Sequence, residues 1–422
     1  MAGIPNSGQI TIGPFMVDIF NARLFRDGHE LKVRRQVFEV LRFMVENPGR
    51  LLDYNEMLHE VWDDAPVSKH TVAVTLGELK NLLGEYGYWI KVRQGYGYYL
   101  EMPESEHFMR VGRHFRTQFT PSGLGNAIKS FDQATKLVGA NPRAWEALAA
   151  SYLELGCFCI RLSRDVHTLF LHAYQHAVAL EGSTPGLQLN RAVSLYLFER
   201  NLAESELELL RVHRARPNIT EVHVHLALVY FLQGRIDEAF VELRQAEKAD
   251  PLLPSLAFAK PRLLLFRRDI DAAAACAKQA VDLYPNAPLT HFNYAEALDF
   301  ANGGPEALTE YRIAGTIAPD VAWFAAGEAI CLVKQGRSRE ALGILAQLEW
   351  NRKTEYVDAY HLALLLEALG KRDEAFQELE RAYSERSPML AWLDFDIKAD
   401  TLRNDPRFAA LRDRVSSLAQ IV

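Results

Sequence analysis

The sequence predicts a molecule of two unlike parts, a small α+β head followed by an all-α superhelix of repeated helix pairs. Three observations carry this. Short apolar runs parted by turn residues fill the first 32 residues and return at 90–100, bracketing three helix-period patterns. From about residue 220, small residues recur at fixed offsets every 34 residues. Prolines close several of those units, where a helix must stop.

The head begins with four short strands, Ile10-Thr11-Ile12, Phe15-Met16-Val17, Ala22-Arg23-Leu24-Phe25 and Glu30-Leu31. Gly13-Pro14 separates the first two, and Asp27-Gly28, a two-residue hairpin signal, the last two. Val37, Phe38, Leu41 and Val45 define a first helix, ended by Asn47-Pro48-Gly49-Arg50. A short second helix runs from Asp53 or Tyr54 to Trp62. Ser68 is a good N-cap for a third, whose Val72, Val74, Leu76, Leu79, Leu82 and Leu83 include a buried stripe. Two strands at 90–93 and 98–100 flank Gln94-Gly95-Tyr96-Gly97. The head is assigned to residues 1–103, and the polar stretch 104–125 to a linker.

In the repeat region, 126–387, alanine stands at 239, 273, 307, 341 and 375. A second register holds Ala246, Ala280, Ala314, Leu348 and Ala382, and a third Ala227, Pro261, Ala295, Ala329 and Ala363. A fourth runs through Tyr230, Leu264, Leu298, Leu332 and Leu366, and Pro251, Pro285 and Pro319 close three units. Small residues belong where two helix axes approach closely. Glu238, Glu306, Glu340 and Glu374 fall in the first turn of each second helix and suit its dipole. Five regular units therefore span 220–386. Residues 188–217 look like a sixth, 127–142 a lone second helix, and Trp145, Leu148, Ala149 and Tyr152 a first helix followed by an insertion at 157–167. Pro261, inside a first helix, is expected to kink or shorten it. Residues 388–422 are assigned to capping helices.

The 34-residue period with its closing proline resembles the tetratricopeptide repeat. The head resembles the winged helix of OmpR/PhoB-type transcription regulators. Glu46-Asn47-Pro48-Gly49-Arg50-Leu51-Leu52 is similar to that family's first turn and Met57-Leu58-His59-Glu60-Val61-Trp62 to its second helix. Thr71-Val72, Val74 and Leu79 match its third helix, and Gly95-Tyr96-Gly97-Tyr98 its wing. The resemblance implies that the third helix enters a DNA major groove and the wing an adjacent minor groove. Lys69, His70, Thr71, Thr75 and Lys80 then face bases or phosphates, with Lys91, Arg93 and Gln94 on the wing and Arg34, Arg35 and Arg50 as backbone clamps. It also implies that residues 63–67 touch RNA polymerase.

The head departs from the family in charge. His70 stands where arginine is common, Gly77 and Glu78 replace a basic pair, and Gln94 occupies the usual wing arginine position. Residues 1–100 carry 11 Lys and Arg against 12 Asp and Glu. Phosphate neutralisation supplies much of DNA affinity, so the head should lean on dimerisation or partners.

Much chemistry is absent. The chain has 422 residues, 49% hydrophobic and 24% charged, with net charge −7, which excludes a disordered chain and a general polyanion binder. No run approaches the roughly 18 apolar residues of a membrane helix, and Met1-Ala2-Gly3-Ile4-Pro5 lacks the blocks of a signal peptide. Four cysteines without a CxxC pair fit a reducing, cytoplasmic setting. Residues 123–130 echo a phosphate loop but lack the glycine beside the lysine. No catalytic signature stands out, and no cofactor or metal is expected. His172 and His176, four apart, lack a third ligand, and Cys157 and Cys159 read as inert thiols. No receiver domain is expected ahead of the head, and the combination resembles HilA-type bacterial regulators. That resemblance implies a cytoplasmic, one-component regulator of double-stranded DNA; a homodimer presenting two winged helices to tandem half-sites is the arrangement that the domain order suggests. Its repeats would take a protein, peptide or small-molecule effector in a groove lined by Trp145, Tyr152, His223, Tyr230, His291 and Tyr294. The alternative is an adaptor whose head binds protein and whose repeats recruit partners.

Overall fold

A computed structural model describes residues 8–417 apart from 27, 66, 138–140 and 302–303. Asp27 of the expected hairpin turn, Pro66 of the 63–67 loop, residues 1–5 and residues 418–422 of the expected cap lie outside the described residues. The chain forms two compact units, the first reaching Val111.

The first unit opens with an antiparallel meander of β1 Gln9–Ile12, β2 Phe15–Asp18, β3 Arg23–Arg26 and β4 His29–Leu31, in spatial order 1-2-3-4. Ile12 pairs with Phe15, so Gly13-Pro14 forms a two-residue turn. Then come α1 Arg35–Glu46, α2 Tyr54–Trp62 and α3 Lys69–Leu83, a 3-10 turn at Gly84–Trp89, and the hairpin β5 Ile90–Arg93 and β6 Gly97–Leu100. Asp53 caps α2 through a capping box with Glu56, and the Ser68 hydroxyl accepts the Thr71 N–H at the start of α3. Phe15, Leu24, Phe38, Met44, Leu52, Met57, Val72, Leu79 and Trp89 share one core. Leu52 exchanges both backbone bonds with Tyr98, 2.8 and 2.9 Å, tying the α1–α2 connection to the wing. Gly97 has φ +152°, and a Cβ there would meet the Leu52 carbonyl at 2.2 Å, so only glycine lets the two backbones approach.

The expected linker is helical. The helix α4 Glu104–Arg116 carries Glu104 and Glu106 in its first turn and Arg113, His114 and Arg116 in its last, which suits its dipole. The next helix, α5 Pro121–Lys136, starts inside the same stretch. These charges read as a polar spacer because few apolar residues interrupt them.

The second unit stacks helix pairs: α6 Pro142–Cys157 with α7 Ser163–Glu181, α8 Pro185–Leu197 with α9 Leu202–Ala215, and α10 Glu221–Leu232 with α11 Ile236–Ala249. Then follow α12 Pro254–Phe266 with α13 Ile270–Leu283, α14 Pro288–Phe300 with α15 Gly304–Ile317, α16 Ala322–Lys334 with α17 Ser338–Asn351, and α18 Ala359–Ala368 with α19 Arg372–Ser384. The register alanines 239, 273, 307, 341 and 375 are fully buried between paired helices. Pro261 does not shorten α12, which has 13 residues like α14 and α16. The ring is buried at a register position, where packing offsets the missing backbone bond.

First and second helices differ in burial. The second helices bury one stripe: Ala239, Phe240, Leu243 and Ala246 in α11. Two of the first helices are buried over long runs, Thr290 to Ala297 without a break in α14 and Val357 to Glu367 across α18. A helix buried all round must be covered all round. The cover is the chain itself, which corrects the assignment of 388–402 to a terminal cap. Residues 388–402 form two 3-10 turns, Pro388–Trp392 and Ile397–Leu402, laid across the first helices. Trp392 meets Phe231 of α10 and Phe266 of α12, Phe395 meets Phe231 at 5.0 Å, and the Tyr360 hydroxyl of α18 donates to Asp396 at 2.9 Å. The insertion after α6 reaches the same core, its Phe158 carbonyl accepting the Trp323 indole N–H at 2.7 Å. Among the described residues of the expected cap, α20 Pro406–Ser417 does cap the stack, its Arg407 and Arg414 pairing with Asp373 and Glu380 of α19.

Candidate nucleic-acid interface

The geometry of α3 follows from its buried stripe. Val72, Thr75, Leu76, Leu79 and Leu83 face the core, which turns His70, Ala73, Val74, Gly77 and Asn81 outward in one row. Thr75 is expected from the sequence among the base-reading residues, and the structure corrects this. It is 1% exposed and donates to the Thr71 carbonyl at 2.9 Å. A hydroxyl at that point of the 3.6-residue period belongs to the core side, where its own helix satisfies it. Val74, Ala73 and Asn81 are not among the expected site residues. The complement of the apolar period marks them, since residues three, four, seven or eleven positions from His70 share its face.

Charge divides between the two edges of that row. Lys69 and Lys80, about three turns apart, lie on one edge, Lys69 over the Tyr54 ring at 5.4 Å. Thr71 and Glu78 lie on the other. Glu78 is not left bare: Arg34, the residue that opens α1, pairs with it at 2.9 Å. Two expected phosphate clamps and one wing lysine are thus engaged within the head. Arg34 holds Glu78, Arg50 holds Glu56 of the α2 capping box, and Lys91 stands 3.7 Å from Glu101. Arg35 and Lys69 are exposed and Lys80 half-buried.

The wing tip presents Val92, Arg93, Gln94 and Tyr96 to solvent, with the Arg93 guanidinium 5.1 Å over the Tyr96 ring. Between α2 and α3, Asp63 and Asp64 both take left-handed φ. The His59 ring bonds Asp64 at 2.9 Å, which raises its pKa above the usual value. The row on α3 offers an imidazole, an amide and an exposed isopropyl group between small residues. An amide can bond an adenine edge bidentately, and an apolar group suits a thymine methyl. Ala73 and Gly77 let the helix axis approach.

The six aromatic and histidine residues expected to line one groove do not do so. Both ring nitrogens of buried His291 are committed, to Glu310 at 2.6 Å and the Pro285 carbonyl at 2.8 Å. Tyr294 donates to Glu306 within its own pair, Tyr230 lies under Arg235 at 4.0 Å, and His223 bonds Glu242 of α11 at 2.6 Å. Trp145 packs on His172 and His176 of α7, and Tyr152 is half-buried. Most of them pin a first helix to its own second helix, a role that produces the same periodic spacing as a groove lining. Among the described residues no group of three or more His, Cys, Asp or Glu could hold a metal ion, and no helix is long and apolar enough to cross a membrane.

Comparison with known proteins follows this division. A family model described as "Transcriptional regulatory protein, C terminal" matches residues 28–100, from the start of β4 through the wing. One described as "Tetratricopeptide repeat" matches residues 220–251, the α10–α11 pair. Neither domain type is catalytic. Among solved structures, the APC/C hetero-tetramer Cut9-Hcn1 is 13% identical with TM-score 0.51, over 85% of this chain and 61% of that one. A thermophilic TPR protein of Thermus thermophilus is 22% identical with TM-score 0.38, over 46% of this chain and 98% of its own. A monomeric IFIT1 mutant with Gppp-AAAA is 13% identical with TM-score 0.47, over 83% and 87%. The first of these likenesses bears on the superhelical fold alone.

Proposed function

We propose, for a chain that carries an OmpR/PhoB-type winged helix at its N-terminus and a tetratricopeptide superhelix behind it, that it is a sequence-specific DNA-binding transcription regulator of the bacterial cytoplasm. The observation that carries this reading is the outward row of α3, His70, Ala73, Val74, Gly77 and Asn81, with Lys69 and Lys80 along one edge. The row reads base edges in the major groove; the lysines and Arg35 take phosphates; Arg93 at the wing tip takes the minor groove. Arg34 cancels Glu78, so the one acid on the helix flank does not repel the backbone. Two chains on tandem half-sites supply the phosphate contacts that a single head lacks, and the 63–67 loop faces RNA polymerase. The superhelix receives a protein or peptide effector.

Paired substitution tests the docking. In the full-length chain, Lys69→Ala with Lys80→Ala, the two lysines assigned to phosphates, should weaken binding to all duplexes alike and lower the slope of log K against log salt by about 2. An unaltered titration would place the DNA elsewhere. A second reading, a protein-binding adaptor, has one observation behind it: Arg34, Arg50 and Lys91 are already engaged by carboxylates of the head. An adaptor shows no salt-dependent duplex binding at all.

A further inference from the structure

The turn after each first helix contains a position that recurs every 34 residues: Arg200, Gly234, Arg268, Asn302, Gly336 and Gly370. Asn302 lies outside the described residues. The other five all take left-handed φ, +57°, +78°, +70°, +74° and +77°. Glycine adopts that conformation freely, whereas a residue with a Cβ is strained there. Two of the turns therefore carry strain that their neighbours in register avoid, and strain retained in a fold points to a role for the side chain.

Both arginines reach the same segment. Arg200 donates to the Ser387 carbonyl at 2.9 Å, across 187 residues of chain. Arg268 donates to the Phe395 carbonyl at 3.0 Å and pairs with Asp400 at 2.6 Å. Arg372, two residues beyond the last glycine of the register, donates to the Thr401 carbonyl at 3.2 Å. Bonds from side chains to backbone carbonyls hold a peptide segment whatever its sequence. Selectivity comes from side chains: Trp392 and Phe395 lie among Phe231 and Phe266, and Lys398 is buried against Glu296 of α14 and Asp396. The fit is loose at one end. A cavity of about 240 Å³ lies between the segment and Tyr196, Arg200, Leu202 and Leu232. There the Arg200 Nη1 is buried and has no hydrogen-bond partner.

We propose that residues 387–402 are a built-in ligand of the superhelix, and that the first-helix face they cover is a peptide-binding face. A partner segment of the same chemistry and the same turned backbone, two aromatics followed by an acid and a lysine, enters by displacing them. This deepens the effector reading given above and is independent of DNA binding by the head.

Substitution to the register's own residue provides the test, because Arg200→Gly with Arg268→Gly relieves backbone strain while removing the clamp. The double variant of the full-length chain should melt cooperatively, as the parent does. Amide exchange in 387–402 should quicken at least tenfold, with α14 unchanged. A fluorescein-labelled synthetic peptide of residues 387–402 should bind the variant at least tenfold more tightly than the parent, and a scrambled peptide should not. Lys398→Met, which leaves both arginines in place, should give an intermediate gain. Unchanged exchange, equal binding of scrambled and native peptides, or loss of the cooperative melt would each overturn the proposal, the last by making the segment ordinary core. A failed duplex titration with successful peptide capture would remove the regulator reading and leave this one standing.

Discussion

Single charges in this protein are read correctly only with their partners. Glu78 on α3 looks, in the sequence, like an acid set against DNA; Arg34, 44 positions earlier, holds it at 2.9 Å. Glu199, at the end of α8, is a second case. Burial alone would raise its pKa, but bonds from His167 and Arg191 lower it to about 2. A folded-state value below the ordinary 4.5 means stability that is fully present above about pH 4.5 and lost as pH falls toward 2. Thermal unfolding between pH 5 and 2 should show this loss, of the order of 2–3 kcal/mol, and Glu199→Gln should flatten that part of the profile. An equal acid slope in both proteins would assign the acid sensitivity elsewhere. Such pairings cross 8 to 44 positions in this chain, which is why no local pattern announces them.

At the scale of the element, legibility tracks periodicity. Ser68 as N-cap and the alanine registers lie within one or two turns of what they stabilise, so they are plain in the sequence and hold in the structure. Thr75 misleads because a hydroxyl suits either a base edge or its own helix, and only the phase of the apolar stripe decides. The 104–125 stretch misleads because its charges are those of helix ends. The wing shows how a local constraint becomes an element. At Gly97→Ala, a methyl 2.2 Å from the Leu52 carbonyl should cost the head about 2–3 kcal/mol, read as a lower melting temperature. Gly95→Ala, whose Cβ meets open space at φ +82°, should cost about 1 kcal/mol. Equal losses would mean that the Leu52–Tyr98 bridge does not constrain the wing.

For the molecule as a whole, two kinds of organisation meet. Repeats make contacts mainly with their neighbours, so their number and phase are legible from the 34-residue step. The course of 387–402 is not, because its bonds to Arg200, Arg268 and Glu296 span more than one hundred residues and leave no periodic trace. What does leave a trace is departure from the pattern: arginine where the turn uses glycine. Net charge of −7, and a head balanced between 11 cations and 12 anions, mean that DNA affinity must come from where charges sit rather than from how many there are. The most direct test of the account is selection of randomised duplexes by the full-length chain at low salt, followed by titration of the recovered sequence against a shuffled one. A preference of about 10³ or more, with log K falling linearly in log salt, is the expected result. Recovery of no sequence above background, with no duplex retained at low ionic strength, would contradict it.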